Sequence, residues 1–488
     1  MARLDIIKCY LCNFHIGLGR NLTDSRNIVL LGFVVFSAVF LIFYPSNYGI
    51  VDEAAYLTTS HIFAKGEVYY DRAGMNQVPM MVTTSAGHLV SKYPPGNSLL
   101  LLSFAAFGWR TVFLRGLLLT GLCLLLFTML LAFYRIPRIY ALLFLFFPPV
   151  VLFSRTIMSD MPAMLLALAG MYFFVTKRNV WAGVFTGFGV YMRYPLALLV
   201  IAFALVLLAR KEIKGLFIFC ASALLSLIPL LVYHFFVFGN FLGPALQYGT
   251  DLGFRVHWGT LGGYAFSLTV LYPLMLIAPF VYRGKGNGLF ITTAVIYILF
   301  HAFQSYIDTS TDFIQWLVMS QRYMLPVIPF MLVPYAAVLD RIKIVRKLII
   351  PVVLALAIAC AFINYRHARF LKVQDRYQRL IYHYAYGSDV LICNKDILEL
   401  VNPYVKYINW LPFEKQRKLA DVVILPGDKR KIFLACLARD AQMVELFQKT
   451  LEKFPFKTGI YTENSPNYFS IYRTSVTGLT IDSLPVVR

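Results

Sequence analysis

The sequence predicts an α-helical polytopic membrane protein of about eleven crossings, followed by a small α/β domain. Three observations predict it. Of 488 residues, 59% are hydrophobic and only 14% charged, with a mean hydropathy of +0.67, a balance that would aggregate in water. Apolar runs long enough to cross a bilayer recur between residues 27 and 364. Lys and Arg gather between alternate runs, as in cytoplasmic loops, so the formal charge of +21 is ascribed to topology and not to a nucleic-acid partner.

Residues 1–26 carry Arg3, Lys8, Arg20 and Arg26 with no small-residue cleavage site, so the N-terminus is expected to stay cytoplasmic. Cys9 and Cys12 form a lone CxxC without the second half of a zinc site, and an interfacial turn is the better reading. The run 27–45 then carries residues 46–96 to the outer side as a polar loop. NSLLLLSFAAFG, which follows, is too short to cross and is expected to lie in the outer interface.

Further spans are expected at 111–133, 139–153 and 161–176. The run 180–209 is interrupted by YMRYP, which predicts two spans meeting near Arg193 at the outer side. Spans at 216–237, 263–282, 288–305, 324–339 and 348–364 complete the set. The inner loops then hold Arg135 with Arg138, Lys177 with Arg178, Arg210 with Lys211 and Lys214, Arg283 with Lys285, and Arg341 with Lys343, Arg346 and Lys347.

An odd number of spans puts residues 365–488 outside the cytoplasm, where a mixed, charged composition predicts a separate soluble domain. HARFLKVQDRYQRLIYHYAYG reads as a helix, DVLICNK and DVVILPG as buried strands, and RDAQMVELFQKTLEKF as an amphipathic helix before TGIYTENSPNYFSIYRT. Cys393 and Cys436 both fall there, where a disulfide is open to them. Cys123, Cys220 and Cys360 read as small core residues. Nucleotide-binding glycine fingerprints, P-loops and internal repeats are absent from the sequence.

The ionisable residues expected on the outer face are Asp52, Glu53, Lys92, Arg155, Asp160, Arg193, Asp308, Asp312 and Arg322. Carboxylates and arginines at one interface suit a reaction in which an acceptor loses a proton while an anionic phosphate is held and departs. Each of them alone also fits a snorkelling or salt-bridged residue at a helix end. Asp52 stands above that reading, because Asp52 and Glu53 adjoin each other, about 100° apart on a helix, with no basic neighbour in the sequence to pair with. Tyr93, Pro94, Pro95 and Gly96 form a rigid turn ahead of the interfacial helix.

DEAAYLTTSHIFAKGEVYY followed by SKYPPGNSLLLL resembles the first outer loop of the GT-C membrane glycosyltransferases, in particular the protein O-mannosyltransferases and aminoarabinose transferases. The shared elements are Asp52-Glu53 after the first span, Tyr93-Pro94-Pro95-Gly96, Arg155 with Asp160, and Arg322-Tyr323 in SQRYMLPVIPF. The likeness spans roughly residues 27–364 and rests on the ordered set, since each motif alone is short. One departure is the pair before the prolines: Lys92-Tyr93 here, Glu-Lys in the aminoarabinose transferases.

The resemblance implies a GT-C fold and inverting transfer of a sugar from a polyprenyl-phosphate donor to a lipid, glycan or protein acceptor at the outer leaflet. It makes Asp52 the general base, with Glu53 orienting the loop or acceptor. Lys92, Arg155, Arg193 and Arg322 are then the phosphate-binding set, and Tyr93, Asp160 and Tyr323 position substrate. A divalent metal has no supporting ligand spacing, and His61 and His88 read as interfacial. The expected location is a plasma membrane, multi-pass, with the lipid bilayer itself a partner. The rival reading is a transporter or lipid flippase, which would favour charges deep within spans and paired broken helices.

Overall fold

In the computed structural model, the residues described are 25–71, 81–84, 86–244, 255–303 and 312–384, with 390–393, 402, 410–412, 431–438, 444–445, 448–449, 458–463 and 468–475 beyond them. Among the described residues up to Tyr384 the architecture is mainly helical, with one small sheet. α1 (Ser25–Ile42) is apolar on every side, and Leu30, Leu31, Val34, Leu41 and Ile42 are exposed, as expected of a helix whose solvent is lipid. The polar groups lie inward instead: Asp52, Glu53, Arg115, Arg155, Asp160, Arg193 and Arg322 are all buried.

The polar segment 46–96 carries regular structure. Its first part is α2 (Val51–Ala64), and its second a three-stranded antiparallel sheet in which β3 (His88–Ser91) lies between β1 (Tyr70–Asp71) and β2 (Met81–Thr83). The proline turn then starts α3 (Gly96–Ala105), the short helix expected after the loop. Gly96 is required there, because a Cβ at this position would sit 2.5 Å from the Tyr191 carbonyl oxygen.

α4 (Leu114–Phe133) matches the expected span at 111–133. The run 139–153 forms two short helices, α5 (Ala141–Leu145) and α6 (Pro148–Phe153), because Pro148 and Pro149 start a new helix and cannot continue the old one. α7 (Asp160–Val175) follows the turn that holds Arg155. The break expected near Arg193 is present: α8 (Asn179–Met192) ends at an extended Arg193, and α9 (Ala197–Ala209) begins after a 3-10 turn over Tyr194–Leu196.

α10 (Ile213–Phe238) packs on α8 through Gly183 and Gly187, whose missing Cβ atoms would lie 2.4 Å from the Phe219 carbonyl and 2.6 Å from the Ala223 carbonyl. This small-xxx-small contact lets two backbones approach where lipid supplies no hydrophobic drive. The helices α11 (Trp258–Leu271), α12 (Ala278–Val281), α13 (Asn287–Ala302), α14 (Phe313–Met319) and α15 (Ile328–Arg341) complete the bundle. Three helices among the described residues are individually long and apolar enough to cross a membrane, at Trp109–Phe133, Ile213–Phe238 and Lys343–His383. Several of the other expected spans fall on shorter or broken helices.

α16 (Lys343–Tyr384) is a single helix of 42 residues. The boundary expected at residue 365 falls inside it, so the change in composition there is a change of surroundings along one continuous element. Beyond it lies a five-stranded mixed sheet. β4 (Val390–Cys393) runs parallel to both β5 (Trp410–Pro412) and β6 (Lys431–Ala438), and β8 (Tyr468–Ser475) lies antiparallel to β6 and to β7 (Thr458–Glu463). Cys393 is in register with Ala435 and Cys436 with Ser470. DVVILPG and most of RDAQMVELFQKTLEKF lie outside the described residues.

Gly116 gives a test of this packing. A Cβ there would lie 1.7 Å from the Ser154 carbonyl oxygen, which is backbone and cannot rotate away. Gly116→Ala is expected to lower the melting temperature of the detergent-solubilised protein, at a cost of about 1–3 kcal/mol for overpacking. An unchanged melting temperature would show that α4 and the Ser154 turn are not held this close.

Candidate active site

Asp52 and Glu53 occupy the first turn of α2, where the helix dipole favours negative charge. They part immediately. Glu53 turns back onto backbone: its Oε2 accepts the Gly49 N–H at 3.0 Å and the Ile50 N–H at 2.9 Å, and its Oε1 accepts the Ile157 N–H at 2.8 Å. It therefore fastens the start of α2 to the turn between α6 and α7. Burial raises the Glu53 carboxyl to about 7, against the three N–H donors that favour the ionised form.

Because Glu53 binds its proton more tightly folded than unfolded, its contribution to stability falls as pH rises from about 4.5 to about 7 and is level above that. Melting temperature measured from pH 5 to pH 8 is expected to carry this slope, on the order of 3 kcal/mol over the full window. Glu53→Gln is expected to remove the slope while lowering stability overall. A slope of equal size in the variant would assign it to another group.

Asp52 faces the opposite way, and the expectation that it has no basic partner is corrected by the fold. Arg322, 270 residues away, donates from Nη2 to Asp52 Oδ2. Burial pushes the Asp52 carboxyl up, but the Arg322 charge and a hydrogen bond from Tyr93 outweigh it, and the carboxyl sits below its usual range. Arg322 also reaches Asp160, with Nε 3.8 Å from Oδ2. Neither of these two buried atoms has a hydrogen-bond partner among the described residues. Asp160 Oδ1 in turn accepts from Arg193 Nη1.

The result is a chain of alternating charge, Asp52, Arg322, Asp160, Arg193, drawn from α2, the turn after α14, the head of α7 and the break after α8. Tyr323 lies between the two arginines, with the Arg193 guanidinium 4.8 Å and the Arg322 guanidinium 5.3 Å from its ring centroid. Tyr93 stacks on Tyr56 at 5.0 Å, and Tyr56 donates to Ser159 Oγ at 2.9 Å. The Lys92 ammonium lies 5.6 Å from the Tyr93 ring centroid and within electrostatic reach of Asp52.

Arg155 is placed differently from the other arginines. It is fully buried, donating to Asn364 Oδ1 at 2.7 Å, to the Phe43 carbonyl and toward His367 Nδ1 at 3.3 Å, so its guanidinium joins the end of α1 to α16. Asp312 caps α14 through the Gln315 N–H at 2.8 Å and pairs with Arg366 at 2.5 Å. Asp308 lies outside the described residues. His88 stacks on Tyr69 at 3.7 Å.

Arg115 and Asn97 are site-supporting residues that the sequence reading passed over. Arg115, wholly buried at the head of α4, donates to Asn97 Oδ1, to the Met158 carbonyl at 3.0 Å and to the Thr156 carbonyl at 3.4 Å. Asn97 donates to the Ile157 carbonyl at 2.9 Å. With Glu53 on the Ile157 N–H, side chains from α2, α3 and α4 fix this one stretch of backbone ahead of Asp160. The available signal was a charged residue next to an apolar span.

Together these features define a class: a membrane protein with a helical bundle, a helix and small sheet over residues 51–91, and a buried carboxylate–arginine chain. The fold is shared with a solved membrane-protein structure. The structure is similar to the crystal structure of ArnT from Cupriavidus metallidurans in the apo state, with a TM-score of 0.61 over 92% of this chain and 98% of that one, at 12% sequence identity. No protein-family model matches the chain, and no curated protein matches its sequence.

Proposed function

We propose that the protein is an inverting membrane glycosyltransferase that moves a sugar from a polyprenyl-phosphate donor to an acceptor at the outer face of the membrane, with Asp52 as general base. The observation that supports this reading is the buried contact between Asp52 and Arg322, a carboxylate and a guanidinium side by side in a fold similar to that of ArnT. In the reaction, the acceptor oxygen bonds to the anomeric carbon and its proton passes to Asp52. The bond from that carbon to the phosphate oxygen breaks, and the electron pair leaves with the polyprenyl phosphate.

Arg322 has a double task in this scheme. While it holds Asp52, it keeps the carboxylate a weak base. Its Nε, 3.8 Å from Asp160 Oδ2, makes no hydrogen bond among the described residues, and a phosphate is one of the two anions that a guanidinium fork fits. A donor phosphate that draws Arg322 toward itself frees Asp52 to take a proton as the leaving group is being neutralised. Arg193 and Lys92 supply the remaining positive charge, Tyr93 and Tyr323 line the site, and Glu53 and Arg155 brace the elements that carry it.

The test is transfer or hydrolysis of radiolabelled sugar from a panel of polyprenyl-phosphate sugars by the purified protein, beside Asp52→Asn. Asp52-dependent release with one donor supports the proposal and names the sugar. Movement of lipid phosphate across liposomes, equal in both proteins and without sugar release, would replace it with the flippase reading.

A further inference from the structure

The C-terminal part of α16 carries a row of cations that plays no part in the chemistry above. Arg369, Lys372, Arg376, Arg379 and His383 are all exposed. At 100° per residue they fall within about 80° of arc on the helix. The opposite side, with Leu371, Gln374, Gln378 and Ile381, is buried against the protein. Further back on the helix, Ile350, Leu354, Ile358 and Phe362 are exposed, Ile358 by 72%, and they centre on the same arc. One face of one unbroken helix therefore passes from apolar to basic without turning away.

A row of cations is ordinarily a solvated face. Two further observations single this one out. Lys372 with Arg376, and Arg376 with Arg379, are like charges at helical neighbour spacing, which repel and are not expected on a face that serves only solubility. Lys372, Arg376, Arg379 and His383 also line an open cavity of about 490 Å³ with Leu380 and Asp375. Asp375 is committed to Arg110 at 3.0 Å and Arg379 at 2.6 Å, so it anchors the cavity wall and leaves the lining positive on balance.

We propose that this face binds a phosphate-bearing amphiphile of the adjacent leaflet, its hydrocarbon chains along residues 350–362 and its phosphate on Lys372, Arg376 and Arg379. A soluble anion would use only the basic half. The continuity of that half with the lipid-facing half selects an amphiphile, which meets both. Cations near a membrane surface attract anionic headgroups additively and lose that attraction in salt. This inference does not depend on sugar transfer.

The full chain in maltoside detergent is titrated with dioleoyl phosphatidic acid, and the lipid-bound fraction is read by native mass spectrometry, with dioleoyl phosphatidylcholine and inorganic pyrophosphate in parallel. The wild type is expected to bind phosphatidic acid at least tenfold more tightly than either control. Lys372→Gln/Arg376→Gln, and separately Lys372→Glu, are expected to lose at least tenfold in that affinity with the melting temperature unchanged. Equal binding by the wild type and both variants would overturn the proposal. Pyrophosphate binding as tight as that of phosphatidic acid would overturn it too, since the face would then read a soluble anion.

Discussion

Asp52→Asn is expected to slow sugar transfer by about 10²–10⁴-fold, the usual contribution of a positioned general base, while leaving the fold intact. Asparagine keeps an oxygen for Arg322 and for the Tyr93 hydroxyl but cannot take a proton at that site. Arg322 loses a counter-charge in the variant, yet Asp160 remains 3.8 Å from its Nε. The melting temperature should therefore move little compared with the rate. The measurement is initial transfer rate and thermal melting on the same preparation. A variant that melts normally and still turns over would exclude Asp52 as the base.

Arg322→Ala is expected to have the larger combined effect. It removes the cation between two buried carboxylates, and although Arg193 still holds Asp160, Asp52 is left with its nearest positive charge gone. Breaking a buried pair in this way costs about 3–5 kcal/mol. Loss of a donor aimed at a departing phosphate lowers the rate by about 10²–10³-fold beyond that. Arg322→Lys separates the two contributions. An ammonium restores charge beside Asp52, so stability should recover, but it lacks the planar fork for a phosphate, so the rate should not. Equal recovery of both would mean that Arg322 acts on Asp52 alone and not on the leaving group.

Much of this architecture was legible in the sequence for simple reasons. Hydropathy over a span-length window reads the solvent of a helix, and the expected runs fall on apolar helices. The break at Arg193 followed from a proline that denies its predecessor helical backbone, and the short helix after Pro95 followed from its length. Asp52, Arg193, Arg322 and Asp160 were singled out as ionisable residues on one face and Tyr323 through the family resemblance, and the fold brings them into one connected group. Arg155 was singled out on the same grounds but is used as a strut, because nothing in a linear pattern distinguishes an arginine facing a cavity from one facing Asn364 and a carbonyl.

The sequence by itself determined the membrane class, the placement of most helices and the short set of groups from which a site could be built, because these depend on local apolarity, backbone restriction and residue chemistry. Only the tertiary structure decided that Asp52 is paired with a residue 270 positions away, that Glu53 is a backbone fastener, and that Arg115 and Asn97 brace the turn before Asp160. It also decided that residue 365 lies within a helix. The physical reason is common to all of these. Pairing of buried polar groups is settled by the low-dielectric interior, which demands a partner for each charge and each N–H but leaves its identity to whichever elements pack against it.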